Sequence, residues 1–110
     1  MSKWLNVAGI IRINGLELDG IQVPMEHMMK FLNQGIPTGS ECRLNVAITK
    51  IVDRPAKKDY TITISGDLRD YTEYWEVFDW FDNVCSKVSC RGGAITCFNG
   101  EYNYTKNFVL

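Results

Sequence analysis

Residues 60–85 read YTITISGDLRDYTEYWEVFDWFDNVC, and the spacing of apolar residues within this stretch indicates the fold class. At its start, Tyr60, Ile62 and Ile64 alternate with small polar residues, which is typical of a strand with one buried face. Further along, apolar residues recur every three or four positions, at Tyr74, Val77, Phe78, Phe81, Val84 and Cys85. This period predicts an amphipathic helix, capped by Asp70 with Glu73 three residues later.

Another strand and another helix are predicted ahead of this stretch. The alternating apolar positions of the strand are Cys42, Leu44, Val46 and Ile48. The helix is predicted over residues 24–34, because Pro24 suits the first helical position and Gly35 can adopt the left-handed conformation beyond the end. Its apolar stripe consists of Met25, Met28, Met29 and Leu32.

Two Asn-Gly dipeptides, at residues 14–15 and 99–100, predict β-hairpins with two-residue turns. Asn and Gly tolerate the positive φ angles that such turns require. The first dipeptide predicts a hairpin over residues 5–19. The second places Cys97 opposite Tyr102, so that both side chains share a packed face.

The predicted order is β-α-β-β-α-β, with hairpin extensions at both ends of the chain. An antiparallel sheet with both helices on one face, a ferredoxin-like arrangement, accommodates this order most simply. The sequence therefore predicts an α+β fold. We expect residues 1–110 to form a single domain, since this length is typical of one hydrophobic core.

Composition narrows the classes of partner. With 45% hydrophobic and 23% charged residues, the chain has the balance of a folded domain. A formal charge of −1 provides no general attraction to nucleic acid, which is therefore an unlikely partner. A membrane helix requires an apolar run of about 18 residues, and the sequence contains none. No secretory signal is recognised at the N-terminus. We expect a cytoplasmic protein without a membrane partner.

No catalytic centre is predicted. His27 is the single histidine; it lies off the apolar stripe of the first helix and is expected to be solvated rather than paired with a nucleophile. The four cysteines are Cys42, Cys85, Cys90 and Cys97. Their spacing differs from the close pairs of zinc sites, so buried packing is favoured over a structural zinc. We expect no enzyme activity, no cofactor and no metal.

The segment Arg91-Gly92-Gly93 is the part of the sequence most similar to an anion-binding loop. Glycine amides can form a concave site, to which arginine adds positive charge. The full phosphate-binding glycine motifs are absent from the sequence. A bend or bulge where the strand enters the sheet is therefore the favoured interpretation.

Residues 67–82 carry six acidic side chains and one basic side chain. A solvated helix face explains this charge most simply. The functional alternative is a surface that binds a partner, in which Trp80, and less clearly Trp75, would be an exposed anchor. The side chains expected to steer a basic partner are Glu73, Glu76 and Asp79.

The strand that ends in Gly-Asp-Leu-Arg-Asp-Tyr at residues 66–71, followed by an acidic helix around Trp80 and Phe81, resembles small proteins of bacteriophages and prophages. The resemblance covers about the middle third of the chain. It implies a protein that binds a host protein, including components of antiviral defence. Anti-CRISPR-like proteins commonly present an acidic surface to a basic nucleic-acid channel.

The leading hypothesis is a non-enzymatic phage or prophage accessory protein in the host-cell cytoplasm that binds and inhibits a host protein with a basic surface. One alternative is an oligomeric module that binds a nucleotide signal near Arg91, Gly92 and Gly93. Another is a structural virion protein or homo-oligomer, in which the edge of the C-terminal hairpin pairs between subunits.

Overall fold

The computed structural model describes residues 3–51 and 59–109. In these residues the chain forms an α+β fold of six strands and two helices, as the sequence predicts. The strands are β1 (Trp4–Leu18), β2 (Ile21–Gln22), β3 (Asn45–Lys50), β4 (Tyr60–Arg69), β5 (Val88–Phe98) and β6 (Asn103–Phe108). The helices are α1 (Met25–Asn33), between β2 and β3, and α2 (Tyr74–Lys87), between β4 and β5.

The sheet has the strand order β3-β4-β1-β5-β6, and every pair in it is antiparallel. The long strand β1 lies at the centre, paired with β4 on one side and β5 on the other. The short strand β2 pairs only with the end of β1.

The core follows from the alternation along the strands. In β1, Leu5, Val7, Ile11 and Ile13 are buried, whereas the even-numbered residues between them are exposed. Helix α1 contacts β1 and β3, and α2 contacts β1, β5 and β6. The buried residues of both helices belong to one cluster with those of the strands. Each helix therefore contributes its apolar stripe to a shared core.

The predicted hairpin over residues 5–19 is wrong, because β1 continues without interruption through residues 14–15. The chain reverses instead at Asp19 and Gly20, whose φ angles of 51° and 80° suit a type I′ turn. A continuous β1 forms ladders with two neighbouring strands. An isolated two-stranded hairpin would be only marginally stable in water, so the sheet favours the longer strand.

The C-terminal hairpin is present, but its predicted register is shifted by two residues. Cys97 lies opposite Tyr104 rather than Tyr102. Residues 99–102 form the connection, in which the side-chain oxygen of Asn99 accepts hydrogen bonds from the backbone N–H groups of Glu101 and Tyr102, at 2.9 and 2.8 Å. A shift of two residues preserves the face on which each side chain lies, so the predicted alternation is retained.

Helix α1 begins after Pro24 and ends before Gly35, close to the predicted bounds. Helix α2, in contrast, begins only at Tyr74, and the predicted cap is wrong. The backbone N–H of Asp70 donates to the carbonyl of Lys3, so this part of the chain is still held against the start of β1. The carboxylate of Asp70 accepts a hydrogen bond from Ser40 Oγ at 3.1 Å instead of capping the helix.

Candidate partner-binding surface

The structure places Trp80 in the core. Only 8% of this residue is exposed, and its indole Nε1 has no hydrogen-bond partner among the described residues. Val77 and Val84, one turn away on either side, are also buried on the same face of α2. The interpretation of Trp80 as a protruding anchor is therefore wrong.

Trp75 is the tryptophan that α2 exposes, with 52% of the residue accessible. Its ring lies edge-on to Tyr74, with the centroids 5.3 Å apart. Tyr74 in turn stacks on Tyr104 of β6, with centroids 3.8 Å apart and an interplanar angle of 4°. The exposed ring of Tyr102 lies 6.4 Å from that of Tyr104. The start of α2 and the start of β6 are thus joined by packed aromatic rings.

Two further aromatic side chains are exposed at the same end of the sheet. Trp4 opens β1 opposite Arg69 at the end of β4, and Phe98 closes β5 opposite Asn6. The guanidinium carbon of Arg69 lies 6.0 Å from the centre of the Trp4 ring. We call this end of the molecule the aromatic end. Its exposed aromatic side chains are Trp4, Trp75, Phe98 and Tyr102.

A groove of about 480 Å³ lies at the aromatic end. Its walls come from the start of β1, the connection between β4 and α2, and the connection between β5 and β6. Trp4 forms part of the wall, and Tyr71 and Glu101 line the groove from the two connections. This volume falls in the range of sites that hold a small molecule or a side chain of a partner.

Carboxylates surround this groove. Asp67 accepts a hydrogen bond from the amide of Asn6 at 2.6 Å, and Glu76 accepts one from the hydroxyl of Tyr71 at 2.9 Å. Glu73 accepts a hydrogen bond from the backbone N–H of Thr72 at 3.1 Å. Asn6, Tyr71 and Thr72 all line the groove. The carboxylate hydrogen-bonded to each of them therefore lies close to the groove wall.

Both burial and these carboxylates affect the pKa of Tyr71. Burial raises the pKa of Tyr71 well above its usual value, and the hydrogen bond to Glu76 and the charges of Glu76 and Glu73 raise it further. Because these carboxylates disfavour a second negative charge, they favour a positive one at the same place. Two cations lie nearby, Lys3 and Arg69, and Arg69 is paired with Glu41 at 2.7 Å.

The predicted steering residues are only partly brought together. Glu76 and Asp79 are exposed on α2 beside Trp75, at helical spacings that place neighbouring side chains on one side. Glu73 lies just before the helix and is half-buried. Asp82, at the far end of the acidic segment, forms an ion pair with Lys106 of β6 at 3.2 Å. The exposed acidic surface is therefore concentrated in the first half of α2.

The Arg91-Gly92-Gly93 segment forms a β-bulge, in agreement with the favoured interpretation. Gly92 pairs with Arg12, whereas Ile13 pairs with Cys90, so Arg91 is the extra residue in β5. Arg91 lies 3.6 Å from Asp59 in an ion pair.

Gly93 is paired on both sides, with Ile11 and Phe108, in the interior of the sheet. A Cβ atom there would lie 2.8 Å from the carbonyl oxygen of Ile10 and 3.3 Å from the ring of Phe81. The glycine is therefore explained by packing.

The remaining candidate residues lie apart from the aromatic end or in the core. His27 is exposed on α1, as the sequence predicts. Cys85, Cys90 and Cys97 are buried, whereas Cys42 is only half-buried. Burial raises the pKa of the Cys97 thiol to about 11. Over residues 3–51 and 59–109, His, Cys, Asp and Glu side chains form no group of three or more that could hold a metal ion. None of the helices in this part of the chain is long and apolar enough to cross a membrane.

Comparison of the chain with protein-family models, with curated proteins and with solved structures found no match.

Proposed function

We propose that this chain is a non-enzymatic binding protein whose aromatic end contacts a basic surface of another protein. One observation carries the proposal: exposed aromatic side chains lie on both sides of one end of the molecule, close to several carboxylates. Trp4 and Phe98 lie on the exposed face of the sheet, and Trp75 and Tyr102 lie beside the stacked pair of Tyr74 and Tyr104. Single exposed apolar side chains are ordinary on protein surfaces. A group of aromatic residues within a polar rim is instead typical of interaction sites.

Burial of Trp75 by a partner would contribute substantially to the binding free energy. Covering the exposed half of an indole removes on the order of 100 Å² of apolar surface from water, which contributes about 2–3 kcal/mol to binding. Its position is held by contacts that exist before binding, since Tyr74 packs against both Trp75 and Tyr104. A side chain that is already ordered loses less conformational entropy when it is buried by a partner.

The negative charge of the aromatic end determines which partner surface it would attract. Glu76 and Asp79 are exposed next to Trp75, and the groove on the other side of the aromatic end is also surrounded by carboxylates. A negative surface increases the rate of encounter with a positive one and disfavours acidic partners. We therefore propose a partner with a basic surface.

In its narrower form, the proposal is that the protein is a phage or prophage accessory factor in the host cytoplasm that inhibits a host protein, such as an anti-defence factor. The support is the resemblance of the strand that ends at residues 66–71, and of the acidic helix around Trp80 and Phe81, to phage proteins. The acidity of the aromatic end would also suit a basic nucleic-acid channel. The nucleotide-binding alternative has weaker support, because Arg91 is paired with Asp59 and Gly93 lies within a strand ladder. The virion or homo-oligomer alternative stays a prediction.

A ferredoxin-like arrangement, with both helices on one face, remains our interpretation of the fold. The strand order β3-β4-β1-β5, entirely antiparallel, supports it. Further support comes from the single cluster that joins the buried residues of both helices to alternate residues of the strands. On this interpretation β2 and β6 are additions to the basic unit.

Trp75→Ala tests the proposed function. After capture of the partner from a lysate of the producing cells, this substitution is expected to weaken the complex by about 2 kcal/mol, or about 30-fold in Kd. Titration of the purified partner measures this change. The matched control is Ile10→Ala, which truncates a side chain of similar exposure, 50%, in the middle of β1 rather than at the aromatic end.

The control is expected to change Kd by less than about twofold, and both variants should unfold at the wild-type temperature because both residues are exposed. If Ile10→Ala weakens the complex and Trp75→Ala does not, the contact surface is the middle of the exposed face of the sheet, away from the aromatic end, and the proposal is wrong.

A further inference from the structure

We propose that the groove beside Trp4 binds an arginine side chain of the partner protein. This inference rests on the proposed function and assigns a chemical group to one part of the aromatic end. The groove extends beyond the acidic segment of residues 67–82, since it is lined by the start of β1 and by the connection between β5 and β6 as well as by residues 71–72.

The groove offers a planar group an aromatic ring to pack against. Trp4 lines it and is 45% exposed, so part of the ring surface is open to a ligand. The same ring already lies 6.0 Å from the guanidinium carbon of Arg69. This internal contact is an example of the interaction proposed, in which a guanidinium group lies against an indole.

The charge of the groove favours a cation. Glu101 lines it directly, and Asp67, Glu73 and Glu76 are each hydrogen-bonded to a residue of its wall. Among residues 3–51 and 59–109, the positive side chains at the groove are Lys3, which lines it, and Arg69, which is paired with Glu41 and Asp70 at 2.7 and 3.9 Å. Four carboxylates against two cations leave a net negative charge for a ligand to neutralise.

Arginine fits this combination better than lysine. A guanidinium group is planar, stacks on aromatic faces and can donate two parallel hydrogen bonds to one carboxylate. The ammonium group of lysine is a compact, strongly hydrated charge that gains less from stacking. A groove lined by both Trp4 and Glu101 should therefore distinguish the two side chains.

The test uses NMR of the folded protein with hexa-arginine, hexa-lysine and hexa-citrulline peptides as probes. The chain has three tryptophans, and each indole N–H gives its own resonance, assigned by single Trp→Phe substitutions. Hexa-arginine is expected to shift the Trp4 resonance in a saturable manner, whereas the buried Trp80 resonance should not move. Hexa-citrulline, which has the same shape without the charge, should not bind.

Two substitutions then test the groove itself. Trp4→Ala and Glu101→Gln are each expected to raise the Kd for hexa-arginine by about fivefold or more. The matched control is Asp19→Asn, which removes one exposed negative charge at the turn after β1 and should change Kd by less than about twofold.

Three results would overturn the inference. Equal affinity for hexa-lysine would mean that the groove responds to charge alone. Equal effects of Glu101→Gln and Asp19→Asn would mean that the attraction belongs to the whole molecule. A saturable shift of Trp75 without one of Trp4, or no shift of either, would also exclude the groove. The proposed function is decided separately, by the effect of Trp75→Ala on the captured partner.

Discussion

Phe81→Ala is expected to lower the free energy of unfolding by about 3–5 kcal/mol, the range observed for large cavities in packed cores. Phe81 is fully buried, and its ring lies over Gly93 at the centre of the sheet. Removing the ring leaves a space bounded by β5 and the other buried residues of α2, which belong to the same packed cluster. Urea denaturation monitored by circular dichroism measures the loss.

The control for this prediction is Phe98→Ala, which removes the same atoms from an exposed position at the end of β5. Its expected cost is about 1 kcal/mol or less, because water already contacts much of the ring. Equal losses for the two variants would contradict the packing of α2 on the sheet through Phe81.

Gly93→Val is expected to lower the free energy of unfolding by about 3 kcal/mol. A Cβ atom at this position would lie 2.8 Å from the carbonyl oxygen of Ile10, which is a backbone atom of the central strand. β1 cannot move away without disturbing its pairing with β4 and β5. Inserting side-chain atoms into such a packed position commonly costs 1–3 kcal/mol, and sometimes more when backbone must move.

Ala94→Val is the matched control, since it introduces the same residue one position further along β5. Ala94 lies opposite Ile10 and Asn107 and is half-buried. Valine suits a strand, so the expected change at this position is within about 0.5 kcal/mol. Thermal and urea denaturation measure the stability of both variants. Equal free energies of unfolding for Gly93→Val and Ala94→Val would contradict the account.

The sequence predicts the α+β class, both helices and the alternation of the strands, because these depend on local periodicity. It does not predict that β1 continues through residues 14–15. Asp19-Gly20 is as good a turn signal as Asn14-Gly15. The choice between them depends on the neighbours of β1 in the sheet, and these are contributed by residues far away in the chain.

The burial of Trp80 was available from the sequence. Val77, Trp80, Phe81 and Val84 follow the spacing of a single helical stripe. An exposed Trp80 would require a narrower apolar face than α2 has. In the structure α2 contacts three strands, β1, β5 and β6, so a wide face is covered.

The aromatic end could not be predicted from local patterns. Trp4, Arg69 and Phe98 are brought together only by the registers of β1 with β4 and with β5. A two-residue change in the register of β6 would also remove Tyr104 from its place opposite Cys97. Periodicity fixes the face of each side chain but not the register of strands that are distant in sequence.

Hydroxyl-radical footprinting of the complex with the captured partner tests the central claim most directly, because it reads the exposure of each side chain with and without the partner. We predict that Trp75 and Tyr102 are oxidised several-fold more slowly in the complex. Ile21, an exposed residue of β2, should be oxidised at the same rate in both states. Protection of Ile10 or Ile21, with Trp75 still fully reactive, would contradict the assignment of the aromatic end as the contact surface.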